Sequence, residues 1–357
     1  MEKRPVWDPF EDWKHADIRW VKPEVAKEDF KRFYEKSNLK GFIQMFLFLL
    51  MIGTTGFLSF YFFHQRMWIP MAVCLYFHGM IYPHFGDGMH ELVHSTVFRS
   101  QFLNKAVLWM FGILYWPYNP FLYRLSHLHY HHRYTLHQNS DGEDVPNYVD
   151  LNAKSLFLLF FRVLHIKNLV QCLGRLLTLK PVSNLWRMRG YPLDRWEQFI
   201  LEKANDKERK AVHRFTVVSL VFHALFVAAC IVTGQWFLIF LITLAPFYGP
   251  KVHGYVCGIL QHACCEANDP DLRNACNSVK LDPVSSVLYW HMEYHTEHHL
   301  FASVPCYNLK KFNRYLSDQM PATERAVPKL LQLAKRSPAR FGSLAQWRED
   351  YGRFKGF

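Results

Sequence analysis

Residues 41–63 read GFIQMFLFLLMIGTTGFLSFYFF, 23 residues without one charged side chain. A helix of that length covers roughly 30 Å of hydrocarbon. The stretch predicts a transmembrane helix and makes the bilayer the frame for the rest of the chain. His64, Gln65 and Arg66 lead into a second apolar run, 67–83, read as the returning span. A third run occupies 215–233, and after only Gly234 and Gln235 a fourth begins, 236–258. The expectation is an all-α integral membrane protein with four transmembrane helices in two hairpins.

The segments between the runs fall into place around them. Residues 1–40 form a polar arm with Trp7, Trp13 and Trp20, in which PEVAKEDFKRFYEKS predicts a short helix with Pro23 at its first position. Residues 41–315 form the membrane domain, whose helical cap comprises 84–214 and 262–315, and 316–357 is a charged tail. Within the cap, 103–118 is apolar but too short to cross and reads as re-entrant or surface-lying. The stretch 155–179, SLFLLFFRVLHIKNLVQCLGRLLTL, sets Arg162, Lys167 and Arg175 among apolar stripes, the composition of a helix lying in the interface or buried in a soluble core.

Half of the 357 residues are hydrophobic and 17% are aromatic, yet the net charge is +12. Its placement explains it. The loop between the first two runs holds only Arg66, and that between the last two holds no Lys or Arg. Nearly every remaining basic residue lies in the arm, cap or tail, which four spans put on one side, and the positive-inside rule makes that side cytoplasmic. Charge is thereby accounted for by topology and lipid contact, with no nucleic-acid role. The eight cysteines show no CxxC pair and read as free thiols in a reducing compartment. Residues 1–17 contain no signal-like apolar core, so internal segments drive insertion. Both termini and the site are expected in the cytoplasm, at a bacterial inner membrane or an endoplasmic reticulum.

Of the 20 histidines, eight lie between 84 and 137 and six between 253 and 299, each group following a returning run. Three clusters stand out: His90-Glu-Leu-Val-His94, His127-Leu-His-Tyr-His131-His132, and His295-Thr-Glu-His298-His299. On helices, spacings of three and four put His90 with His94, His127 with His131, and His295 with His298 and His299 on common faces, with His291 one turn earlier. A closed zinc site needs four ligands and a catalytic one three. Eight imidazoles on one side of a membrane point to two metals, and all-nitrogen ligation suits iron better than an iron–sulfur cluster.

The runs HELVHS, SHLHYHHRYT and YHTEHHLFASVPCYNL, separated by apolar hairpins, resemble the three histidine boxes of the membrane fatty acid desaturase superfamily. That resemblance implies a non-haem di-iron centre bound by His90, His94, His127, His131, His132, His295, His298 and His299, with O2 as co-substrate. It also implies a ninth ligand near the end of the fourth run: His262 in GILQHACC, with His253 as runner-up. Where acyl desaturases of the family carry an asparagine one turn earlier, this chain has Gly258. His129 and His291 are expected beside the ligands, and Asp141 and Glu297 are the carboxylates favoured for orienting imidazoles.

The implied activity is desaturation, or hydroxylation, of an unactivated C–H site of a fatty acyl chain or other lipid. No fused cytochrome b5 motif or ferredoxin-type cysteine set is present in the sequence. The electrons are therefore expected from a separate donor of ferredoxin, rubredoxin or cytochrome b5 type with its reductase, docking on the basic cap. The approach NSVKLDPVSSVLYW leaves open a hydroxylase or ketolase acting on an alkane, carotenoid or small metabolite. Two readings lie further off. HELVH also satisfies the HExxH zinc-protease pattern, which leaves the other clusters without purpose. A metal transporter would need polar groups within its spans.

Overall fold

The computed structural model describes residues 17–182 and 195–355. Among the described residues the fold is helical, apart from one short parallel pair, Val279–Lys280 with Glu324–Arg325. The chain forms two compact units, each assembled from separated segments.

The apolar unit comprises Ser37–Arg124 and Leu156–Tyr255. Its first helix, Asn38–His64, opens at Ser37, whose hydroxyl accepts from the Lys40 amide and satisfies one of the free N–H groups of the first turn. Leu39, Phe46 and Phe57 stand more than 60% exposed along it, an apolar surface suited to hydrocarbon rather than water. The helix Asp206–Val232 starts nine residues ahead of the third apolar run, because Asn205 and Glu208 form a capping box upstream of it. These two helices are long and apolar enough to cross a membrane.

The other two expected spans are shorter or broken. Trp68–Ile81 is an α-helix that passes through a 3-10 turn, Tyr82–His84, into Phe85–Val93. The fourth run is not the continuous helix expected over 236–258. It divides into Phe237–Leu241, a 3-10 turn at Ala245–Phe247, and Val252–Ile259. Pro246 and Pro250 cannot donate backbone hydrogen bonds, and Gly249 takes φ +88°, a region that other residues rarely adopt. Gly249 also lies so close to Gly79 that a Cβ there would sit 2.2 Å from the Gly79 carbonyl carbon.

Opening a helix leaves backbone groups that need partners. The 155–179 stretch supplies them. Instead of one helix it forms two, Ala153–Phe161 and Ile166–Leu177. Around their junction Val163 O accepts from Gly249 N (2.8 Å), Leu159 O from Lys251 N (2.9 Å), and His165 N donates to Phe247 O (2.9 Å). Phe157, Phe161, Ile166, Val170 and Leu177 remain exposed, whereas Arg175 is buried in an ion pair with Glu197 at 2.6 Å. The 103–118 segment holds the helix Gln101–Leu114, too short to cross a bilayer.

The polar unit comprises Met1–Lys36, Leu125–Ser155 and Val256–Phe357. Its first helix is Lys27–Tyr34, so Pro23 precedes the helix rather than opening it; Ala26 at the cap is extended. Phe33 packs against Phe312 and Tyr315, and its carbonyl accepts from Asn308. Trp7 and Trp13 lie outside the described residues. The C-terminal segment is packed helix: Leu330, Leu333, Phe341 and Trp347 are buried, and the Trp347 indole donates to Pro146 O. All eight cysteines are thiols.

Candidate metal centre

The second histidine cluster does not form an ordinary α-helix. His127–His131 is a π-type turn, closed by the His132 amide donating five residues back to the His127 carbonyl. The wider turn aligns i with i+5. His127 and His132 therefore meet, with Nε2 atoms 3.0 Å apart, while His131 joins other imidazoles. His127 and His131 do stack on one face, ring centres 5.2 Å apart, but they enter different donor groups, which an α-helical spacing alone does not predict. The third cluster lies on the six-residue helix His295–Leu300. His295 and His299, at i and i+4, bring their Nε2 atoms within 3.0 Å. His298, about 100° around the helix from His299, faces away toward His132, Nε2 to Nε2 at 3.1 Å.

Two groups result within the polar unit. One holds His127, His132 and His298; the other holds His131, His262, His295 and His299, all four buried, and in each the candidate ligand atoms lie within 4.8 Å of one another. His262 reaches its group from the 3-10 turn Leu260–His262, held to the 125–155 segment where its carbonyl accepts from Asn147 N at 2.9 Å. Its Nε2 is 3.2 Å from that of His295.

The outer nitrogens show what the inner ones can do. His131 Nδ1 is 3.0 Å from Asp141 Oδ2 and His127 Nδ1 is 2.8 Å from Glu143 Oε1, so these carboxylates accept protons held on Nδ1. His262 Nδ1 donates to Ala275 O at 2.8 Å. Thr135 donates its hydroxyl proton to the His131 carbonyl and accepts from His299 Nδ1 at 3.0 Å. With the proton on Nδ1 of a neutral ring, the converging Nε2 atoms carry lone pairs. Lone pairs 3 Å apart repel unless a cation lies between them. The donor set therefore fits metal ions, with the second nitrogens of His127, His131, His262 and His299 already anchored.

Electrostatics supports the neutral form at three of these rings. Burial, reinforced by neighbouring imidazoles, holds His132 and His299 well below the ordinary histidine range, and burial brings His262 to about 4. His131 differs. Burial lowers it, but Asp141, Glu143 and Asp144 outweigh that and raise it to about 9. Asp141 is itself held low, its burial outweighed by His131 and by the amides of Leu136 and Glu143.

Other sequence-predicted residues lie as follows. His90 and His94 belong to the apolar unit, at the end of Phe85–Val93, with ring centres 5.2 Å apart and His90 Nδ1 3.2 Å from Glu91 Oε1. His253 Nδ1 bonds to His84 Nε2 at 2.7 Å, and His84 Nδ1 to Asp87 at 2.6 Å. His129 is exposed and in neither group. His291 bonds to Ser286. Among the described residues Glu297 bonds to no imidazole; it accepts from Ser278 Oγ (2.5 Å) and Asn313 Nδ2 (2.6 Å) and so fixes the helix that carries the box. Nothing in the sequence marks Thr135 or the Ala275 carbonyl, or ranks Glu143 above other carboxylates. No spacing rule connects them to the rings they hold.

All-histidine donor groups that fit metal ions stand in a helical chain with two helices long and apolar enough to cross a membrane, which suggests membrane association. The sequence model of the fatty acid desaturase family matches residues 66–329, well over half of the chain, and the chain belongs to that family of oxidoreductases. No curated protein matches it.

Proposed function

We propose that the chain is an O2-dependent membrane di-iron oxidoreductase that desaturates, or hydroxylates, an unactivated C–H site of a fatty acyl chain. The observation that carries this reading is the pair of imidazole groups, His127/His132/His298 and His131/His262/His295/His299. Two groups are more than one zinc would use, and this weighs against the zinc-protease reading of HELVH. On the pattern of the first box we assign His90 and His94 to the same centre. When bound, the iron pair supplies the reductive activation of O2 that removes hydrogen from an unreactive carbon.

The protein's own contribution is orientation. Asp141, Glu143, Thr135 and the Ala275 carbonyl keep Nδ1 protonated and Nε2 free to ligate. Glu297, tied to Ser278 and Asn313, holds the short box helix in register. Asp141 and Glu143 place negative charge behind the ligands, which stabilises cations in a buried site. Electrons come from a separate donor of ferredoxin, rubredoxin or cytochrome b5 type with its reductase. The chain crosses the membrane in two hairpins, the second and fourth runs as shorter or broken helices, with both termini and the site in the cytoplasm.

Mass spectrometry of lipids and metabolites from cells expressing the chain, against a His298→Ala control, tests the reaction. Loss of two hydrogens from an acyl chain supports desaturation, and one gained oxygen supports hydroxylation. No His298-dependent product, or one zinc and no iron in the purified chain, overturns the reading.

A further inference from the structure

A solvent-open concavity of about 740 Å³ lies on the polar unit, where the Val279–Lys280/Glu324–Arg325 strand pair meets the helix Cys306–Tyr315. Lys280, Lys310, Arg314 and Arg325 line it, with Ser317 and Thr323 adding hydroxyls, and no carboxylate is among the lining residues. Two features set this apart from a solvated basic surface. Lys280 and Arg325 are direct partners in the strand register, so two cations sit opposite each other. Lys310 and Arg314 lie four residues apart on one helix and face the same recess. Like charges at either spacing destabilise the element that carries them. Nearby carboxylates relieve them only in part: Glu293 couples to Lys310 from outside the recess, whereas Glu324 bonds to Lys329 at 2.8 Å and Asp282 caps the helix Pro283–Leu288.

From this we propose that the concavity binds a phosphate-bearing anion. Two like-charged pairs around one recess are relieved together by a ligand carrying more than one negative charge, and guanidinium forks match phosphate oxygens. The volume lies in the range of small-molecule sites. Leu281 and Met320 give the wall an apolar portion suited to the organic part of a nucleotide or lipid. A recess of this form fits a phosphate group better than the convex acidic face of a protein. The inner wall includes Asn313, whose amide also donates to Glu297, so a bound anion sits one side chain away from the helix bearing His295, His298 and His299.

The test uses the full iron-loaded chain in detergent, titrated calorimetrically with inorganic pyrophosphate and ADP, and then in nanodiscs with and without phosphatidic acid. We expect saturable binding that weakens with added NaCl. It should weaken at least tenfold in the Lys310→Ala/Arg314→Ala variant but not in Lys335→Ala, a cation outside the recess, with iron content unchanged in both. Binding of soluble pyrophosphate or ADP supports a free metabolite as the source. Binding seen only with phosphatidic acid, and lost in the same double variant, supports a lipid headgroup. Equal affinity in the double variant, or polyglutamate binding more tightly than pyrophosphate, overturns the proposal, the latter in favour of an acidic protein.

Discussion

The smallest decision in this protein is which nitrogen of each histidine holds a proton. Asp141 fixes it for His131, since a carboxylate accepts and does not donate, and two backbone amides prevent Asp141 from turning away. Asp141→Asn removes that constraint: the amide can turn its NH2 toward Nδ1 and force the proton onto Nε2, where the metal should bind. Iron affinity should fall about 10- to 100-fold, the usual cost of losing a partner behind a ligand. Iron retained after dialysis against a graded chelator measures it, with circular dichroism confirming the fold. Glu143→Gln should act similarly through His127, and His129→Ala should leave iron content unchanged. Equal retention in Asp141→Asn and His129→Ala would dismiss the tautomer argument. The histidines were legible in the sequence because so many imidazoles within a few residues have few other uses. Their partners were not: Glu143 lies 16 residues from His127, and the Ala275 carbonyl 13 from His262, separations set by tertiary folding.

At the scale of elements, the sequence misled where the backbone departs from 3.6-residue periodicity. Helical spacing put His127 and His131 on one face, where their rings do stack, but it did not show that the π turn pairs His127 with His132 and leaves His131 to the other group. Apolar length likewise made 236–258 a span, although Pro246, Gly249 and Pro250 were visible within it. Hydropathy averages over such breaks, and what tolerates this one is the 159–165 backbone, which no local pattern predicts. The break gives a contrast between glycines. Gly249→Ala must adopt φ +88° and overlap Gly79, so it should cost more than ~3 kcal/mol from strain and overpacking combined. Gly254 lies in the helix Val252–Ile259 with open space where its Cβ would go. Gly254→Ala should therefore stabilise by ~0.5–1 kcal/mol. Thermal unfolding in detergent would show opposite shifts in Tm, whereas a common sign would mean that the broken segment is not a fixed part of the fold.

Across the whole molecule, two terms couple stability to the surroundings. The first is metal. Converging lone pairs make the apo form strained, and a cation that binds only the folded chain stabilises it by mass action, ~2.7 kcal/mol at a free concentration 100 times Kd. Tm should rise with Fe(II) and fall with chelator, and a Tm indifferent to both would argue that the groups hold no ion. The second is the bilayer. Four apolar runs were readable because uncharged length has a direct physical meaning in hydrocarbon, while the structure supports two of them as helices of crossing length. Orientation rests on where the +12 charge sits: one arginine between the first two runs and none between the last two. If an even number of crossings puts the basic segments in the cytoplasm, the Gly234–Gln235 turn faces the opposite compartment. An N-glycan acceptor on a spacer inserted there should be modified in microsomes, and the same insert after Asp318 should not. Modification at Asp318 alone would invert the topology. Modification at both would require an even number of crossings between them, so that the fourth run enters and leaves on the same side. Its break at Pro246–Pro250 makes that the sharpest alternative to test.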